Sequence, residues 1–141
     1  MNSKVFVKRI HTMESSQYSE AAREVFIQAY LESGYQFEQA VPIKVHFGEK
    51  GNETYVKPFH YQGIVQALKE LGVKPLYIET NVLYRGSRTT RDSHMAVALA
   101  HGFDDLPIEI ADGERGEAYI EVPIHKHYFD VCKIGAGFEK Y

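Results

Sequence analysis

The stretch Val41-Pro42-Ile43-Lys44-Val45-His46-Phe47-Gly48-Glu49-Lys50-Gly51-Asn52-Glu53-Thr54-Tyr55-Val56-Lys57-Pro58 decides how the chain is read. Val41–Phe47 is short, β-branched and apolar, with little polar alternation, which predicts a parallel strand buried on both faces. Two glycines, an asparagine and charges of both signs follow, and Pro58 suits the first turn of a helix, where its missing N–H matters least. Ile64, Ala67, Leu68 and Leu71 give that helix an apolar stripe, and Gly72 ends it. Leu76-Tyr77-Ile78-Glu79-Thr80 predicts the next strand, so residues 41–80 form one βαβ unit. In such units the loops at the carboxyl ends of parallel strands are the recurrent ligand position.

Upstream, Lys4-Val5-Phe6-Val7-Lys8-Arg9-Ile10 is rich in β-formers and predicts a first strand. Ser15, Ser16 or Ser19 is placed to cap a helix carrying Tyr18, Ala21, Ala22, Val25, Phe26, Ala29 and Tyr30 at helical spacing, with Gly34 as its stop. Downstream, Thr89 and Asp92 have capping-box spacing. Met95, Ala98 and Leu99 supply the stripe of a helix that ends at Gly102. Ile108–Ala111 predicts a further strand, closed by Asp112-Gly113. Ala118–Ile124 and Tyr128–Ile134 predict a hairpin through His125-Lys126-His127. The tail 135–141 offers no terminating element. The expected fold is α/β: a mainly parallel sheet with flanking helices in βαβ units, plus a C-terminal antiparallel hairpin, in one domain over 1–141.

Composition narrows the classes of function. At 141 residues, 44% hydrophobic and 25% charged, the chain suits a soluble globular domain with an ordinary core. A net charge of -3 gives no general affinity for nucleic acid or anionic membrane. No apolar run reaches transmembrane length and the N-terminus lacks a signal-peptide core, so the expected compartment is the cytoplasm. Cys132, the one cysteine, excludes an internal disulfide and any cluster or metal site built on several thiolates of this chain. In a strand expected to be buried it reads as inert packing.

Two polar loops meet at one rim if the strands of the βαβ unit are neighbours. The first carries His46, Glu49, Lys50, Asn52 and Thr54; the second carries Asn81, Arg85, Arg88, Arg91 and His94. Residues 44–60 sum to +1 and residues 81–94 to +2, which leaves the remaining chain at -6. A positive rim on an acidic protein favours a small anionic ligand, phosphate or carboxylate. In this reading Lys50, Arg85, Arg88 and Arg91 hold the anion. Asn52, Thr54 and Asn81 orient it, His94 lines the site, and His46 and Glu49 serve proton transfer or metal ligation. Gly48-Glu49-Lys50-Gly51 lacks the Lys-Ser/Thr ending of a phosphate loop, Gly135-x-Gly137 is too short to count as one, and no Gly-x-Ser-x-Gly elbow is present. With no His-Glu-x-x-His and no carboxylate at ligand spacing, no metal site is assigned. A zinc-type hydrolase using His46 and His94 stands as an alternative. A further alternative is a non-enzymatic domain that self-associates through an open sheet edge or the C-terminal tail. A plain structural account of His46, buried and bonded to backbone, is the competing reading of that residue.

The two loops also carry a resemblance. Val41-Pro42-Ile43-Lys44-Val45-His46-Phe47-Gly48-Glu49-x-Gly51-Asn52-x-Thr54-Tyr55-Val56-x-Pro58 resembles the opening signature of the DUF362 family, a prokaryotic family with no settled reaction. Thr80-Asn81-x-Leu83-Tyr84-x-Gly86-x-Arg88, Ala98–Gly102 with Phe103, and Ile110-Ala111-Asp112-Gly113 resemble it in the same order. The resemblance implies an α/β domain with its site on this rim. It also implies longer relatives that carry a cysteine-rich segment for [4Fe–4S] clusters and take part in redox chemistry. This chain then corresponds to the N-terminal portion, as a fragment or a short form, with no cofactor held by its own residues.

Overall fold

The computed structural model of the chain describes residues 4–12 and 14–141. They divide into two compact units: the described part of Met1–Val41 with Lys57–Pro75, and Pro42–Val56 with Leu76–Tyr141. The element order is helix α1 (Ser15–Ser33), strand β1 (Ala40–Lys44), a 3-10 turn (Pro58–His60), helix α2 (Gln62–Glu70) and strand β2 (Lys74–Glu79). It continues with helix α3 (Arg91–Ala100), strand β3 (Ile108–Ile110), the hairpin strands β4 (Tyr119–Lys126) and β5 (Phe129–Gly135), and a 3-10 helix (Ala136–Lys140). Among the described residues, β1, β2 and β3 form a parallel sheet in that order, and β4 and β5 form an antiparallel pair. The fold is therefore α/β with an appended hairpin, as the sequence predicts.

In the second unit β2 is the central strand, and Leu76, Tyr77 and Ile78 are buried on both of its faces. Tyr77 lies opposite Ile108 and Glu79 opposite Ile110 in the parallel register. The expected double burial belongs to β2 and not to β1, which is half-buried along Ala40–Ile43. An edge strand has a neighbour on one side only, and Pro42, which cannot donate to a ladder, fits an edge. Past the end of β1, Val45 and Phe47 are buried, and the Val45 N–H donates to the Ile78 carbonyl at 3.2 Å. Phe47, Tyr77 and Phe103 pack edge to face, with ring centroids 4.9 to 6.5 Å apart, as aromatic quadrupoles prefer.

In the first unit α1 ends on Gly34 in the left-handed conformation, φ +64°. Its N-cap is Glu14 with no side-chain cap bond, so Ser15, Ser16 and Ser19 lie inside the helix instead of capping it. Gly63 lets α2 approach α1 closely: a Cβ there would stand 1.9 Å from the Ser19 carbonyl oxygen. The rings of Phe26, Tyr30 and Phe37 stack at 5.1 to 6.3 Å.

Several local expectations are corrected. Lys4–Ile10 is not a strand: Val5 and Val7 are each 82% exposed, and ion pairs of Lys4 with Glu32 and Lys8 with Glu24 hold the segment to α1. β-forming side chains specify a strand only where a partner ladder exists. The capping box is Thr90 with Ser93, one residue past the predicted pair. The hairpin turns at His127-Tyr128, after a register irregularity between Pro123 and Lys126 and a positive φ at His125. Cys132 is half-buried in β5. The tail does have a terminating element: the Gly137 N–H donates to the Ala111 carbonyl at 2.8 Å, and Lys140 and Tyr141 both bond Glu109.

Candidate functional site

Both predicted loops belong to the second unit, and one carboxylate joins them. Glu49 follows the end of β1, and its Oε1 accepts the Ser87 N–H at 2.7 Å. Its Oε2 meets the Arg88 Nε at 3.5 Å, and the Arg88 guanidinium donates to the Tyr84 hydroxyl at 2.6 Å. Arg88 is only 2% exposed, so its charge requires this partner. Gly86 leaves the room: a Cβ there would stand 2.7 Å from the Glu49 carboxylate. Burial by itself would raise the Glu49 pKa, but the N–H groups of Ser87 and Lys50, the Ser87 hydroxyl and the Arg88 charge outweigh it and hold the carboxyl below its ordinary value.

His94, on α3, is fully buried against Phe47 with ring centroids 5.5 Å apart. Neither ring nitrogen has a hydrogen-bond partner among the described residues. Burial first, and then the Arg88 charge, lower its pKa to about 4; Glu49 opposes this, while His46 and Lys44 add to it. His94 is thus a neutral imidazole within electrostatic reach of His46, Lys44, Glu49 and Arg88. A buried carboxylate, Glu79 at the end of β2, accepts from the Lys44 ammonium at 2.6 Å.

The remaining predicted residues are spread over the rim. His46 is exposed, not buried, and its Nδ1 accepts the Gly48 N–H at 3.2 Å, which leaves the proton of the neutral ring on Nε2. Asn52 and Thr54 are exposed and bond each other: the Asn52 Oδ1 accepts the Thr54 N–H at 2.6 Å and its hydroxyl at 3.0 Å. Asn81 is engaged with the β3 end, its backbone N–H and amide nitrogen both donating to buried Asp112 at 3.0 Å, with its Oδ1 buried and unpartnered among the described residues. Lys50 and Arg85 are exposed and form no ion pair among the described residues.

Arg91 stands apart from Arg88. It opens α3 and lines a groove with Glu109, Ala111 and Lys140. Although burial pushes Glu109 upward, bonds from Lys140 and Tyr141 and the charges of Lys140 and Arg91 bring its pKa down. The three arginines of residues 81–94 therefore do not converge: one is buried, one is exposed on the loop, and one faces another carboxylate. Proximity in sequence could not separate them.

One histidine of the site carried no signal in the sequence. His101, at the C-cap of α3, directs Nδ1 to the Phe47 carbonyl at 2.7 Å and stacks on Tyr55 at 4.4 Å. It lines a groove of about 410 Å³ together with Lys50, Ser87 and Ser93. No motif spacing marks it, because its partners come from the loop after β1. Among the described residues, no group of three or more His, Cys, Asp or Glu side chains is arranged to hold a metal ion. Cys132 alone does not fit an iron–sulfur cluster, which needs a full set of thiolate ligands. No described helix is long and apolar enough to cross a membrane.

No curated protein and no solved structure matches the chain. The model of one family does: DUF362, a domain of unknown function, over residues 41–141, which contain β1 to β5 from Val41 onward and both loops of the rim. The chain belongs to the DUF362 family.

Proposed function

We propose that this DUF362 domain binds a small anionic ligand, a phosphate or carboxylate, on the rim formed by residues 46–56 and 81–94 of the second unit. The observation that carries this reading is the division of the rim's charges. Glu49 spends its carboxylate on buried Arg88, while exposed Lys50 and Arg85 have no ion pair among the described residues. Exposed cations without an acidic partner attract anions and raise their local concentration. In this reading Lys50 and Arg85 receive the anion. Glu49 and Arg88 position the two loops, the Nε2–H of His46 donates to the ligand, and the Asn52–Thr54 pair shapes the loop edge. Buried His94 sets a neutral floor behind them.

The expected result is a melting temperature raised by phosphate relative to chloride at matched ionic strength, with the gain lost when Lys50 and Arg85 are both changed to alanine. Equal shifts from phosphate, sulfate and chloride in both proteins would remove the reading. The redox context comes from the family resemblance alone, and any cluster would be held by residues other than those of this chain.

A second reading is self-association. β5 has β4 on one side and no strand on the other among the described residues, with Phe129 69% exposed and Val131 exposed beside it. A two-stranded ribbon with open apolar residues is weakly stable alone and gains from a further strand. Light scattering at high concentration checks it: a dimer supports this reading, and a clean monomer rejects it.

A further inference from the structure

We infer that the groove beside this rim takes an organic acid with an apolar body and a hydrogen-bond donor, and that His101 reads the donor. The inference rests on the anion-binding reading above and adds the rest of the ligand. Its first support is the state of the imidazole. A carbonyl oxygen only accepts, so at 2.7 Å from the Phe47 oxygen the His101 Nδ1 must carry a proton. In the neutral ring the lone pair is then on Nε2, which has no partner among the described residues.

The ring is also held. It lies parallel to Tyr55, 9° from coplanar, and the Tyr55 hydroxyl donates to the His101 backbone carbonyl at 3.2 Å. The His101 N–H bonds the Val97 and Ala98 carbonyls at the end of α3. An imidazole fixed by backbone, stacking partner and Nδ1 bond presents its remaining acceptor without further loss of freedom, the arrangement that orients histidines toward ligands. A purely structural plug would need the Nδ1 bond and the stack, but not an open acceptor beside a groove.

The groove supplies the other two requirements. Lys50 provides a cation at its edge, and Ser87 and Ser93 provide hydroxyls. Its floor is Ala96, Val97 and Ala100, all apolar. A volume of about 410 Å³ lies within the range of small-molecule sites, roughly 300–1,000 Å³, which are apolar with a few fixed polar groups. Inorganic phosphate would leave such a floor uncovered.

The probes are mandelate, which has a carboxylate, a phenyl body and a hydroxyl; phenylacetate, which lacks the hydroxyl; and inorganic phosphate. Calorimetry on the full chain should show mandelate binding about tenfold tighter than phenylacetate, the ratio expected for one hydrogen bond near 1.4 kcal/mol. His101→Phe, which keeps a ring at this place and removes the acceptor, should erase that ratio. A direct readout on the unaltered protein guards against a variant that fails to fold: the ¹⁵N resonance of the His101 Nε2 should shift with mandelate and not with phenylacetate. Equal affinities for the two acids, or an unmoved Nε2 resonance, overturn the inference. Phosphate binding without either acid overturns it while leaving the anion site intact, and no binding of any of the three defeats both.

Discussion

The two units solve charge in opposite ways. In the first, the ion pairs of Lys4 with Glu32, Lys8 with Glu24 and Arg23 with Glu70 all lie at the surface, and the packing is by aromatic stacks and a close helix approach at Gly63. In the second, Glu79, Arg88, His94 and Asp112 are all buried, and these are the buried polar and charged side chains among the described residues. Surface pairs add little to stability, whereas a buried charge must be met by a partner or it destabilises the fold. A unit that concentrates buried polar and charged groups around one rim gives up stability there, and perturbed groups of this kind cluster at functional sites.

Breaking this contrast should have graded effects. The largest is Glu49→Ala, which strands the buried Arg88 charge and should cost about 4 kcal/mol in denaturant unfolding. The paired change of Glu49 to alanine and Arg88 to leucine should recover part of it, and a loss no larger than that of a surface pair would contradict the account.

Next is the pH dependence due to His94. Its folded pKa of about 4 lies below the ordinary 6.5, so the unfolded chain takes up a proton that the folded one refuses. The contribution is full above pH 6.5 and falls away as pH drops toward 4, a change of about 3 kcal/mol across that window. His94→Leu should flatten this part of the stability profile, and an unchanged slope in the variant would show that other groups titrate there.

Smaller effects belong to the first unit. Gly63→Ala places a methyl against the Ser19 carbonyl and should cost about 2 kcal/mol, because backbone on α1 has to move. Lys8→Ala removes a surface pair with Glu24 and should leave the denaturation midpoint where it was. If Lys8→Ala matched Glu49→Ala, the contrast between the units would vanish.

Much of the fold is legible in the sequence because local signals agree with tertiary ones. Gly34, Gly72 and Gly102 follow their helices and take the left-handed conformation, and the apolar run Leu76–Ile78 marks the central strand. Lys4–Ile10 misleads because strand propensity says nothing about whether a neighbour exists. The rim's location is legible too, since loops after parallel strands share an edge. Its internal wiring is not. Arg85, Arg88 and Arg91 look alike in sequence, and only the position of Glu49, far along the chain, buries one of them. His101 was silent for the same reason: its role is set by the Phe47 carbonyl and the Tyr55 ring, and neither leaves a spacing to detect.

Anion binding at the rim is read most directly by a phosphate titration followed by backbone amide NMR on the full chain. Saturable shifts are expected, concentrated at residues 48–52 and 84–88, with α1 and α2 unmoved. Shifts that never saturate, or that centre on α1 and α2, would contradict it.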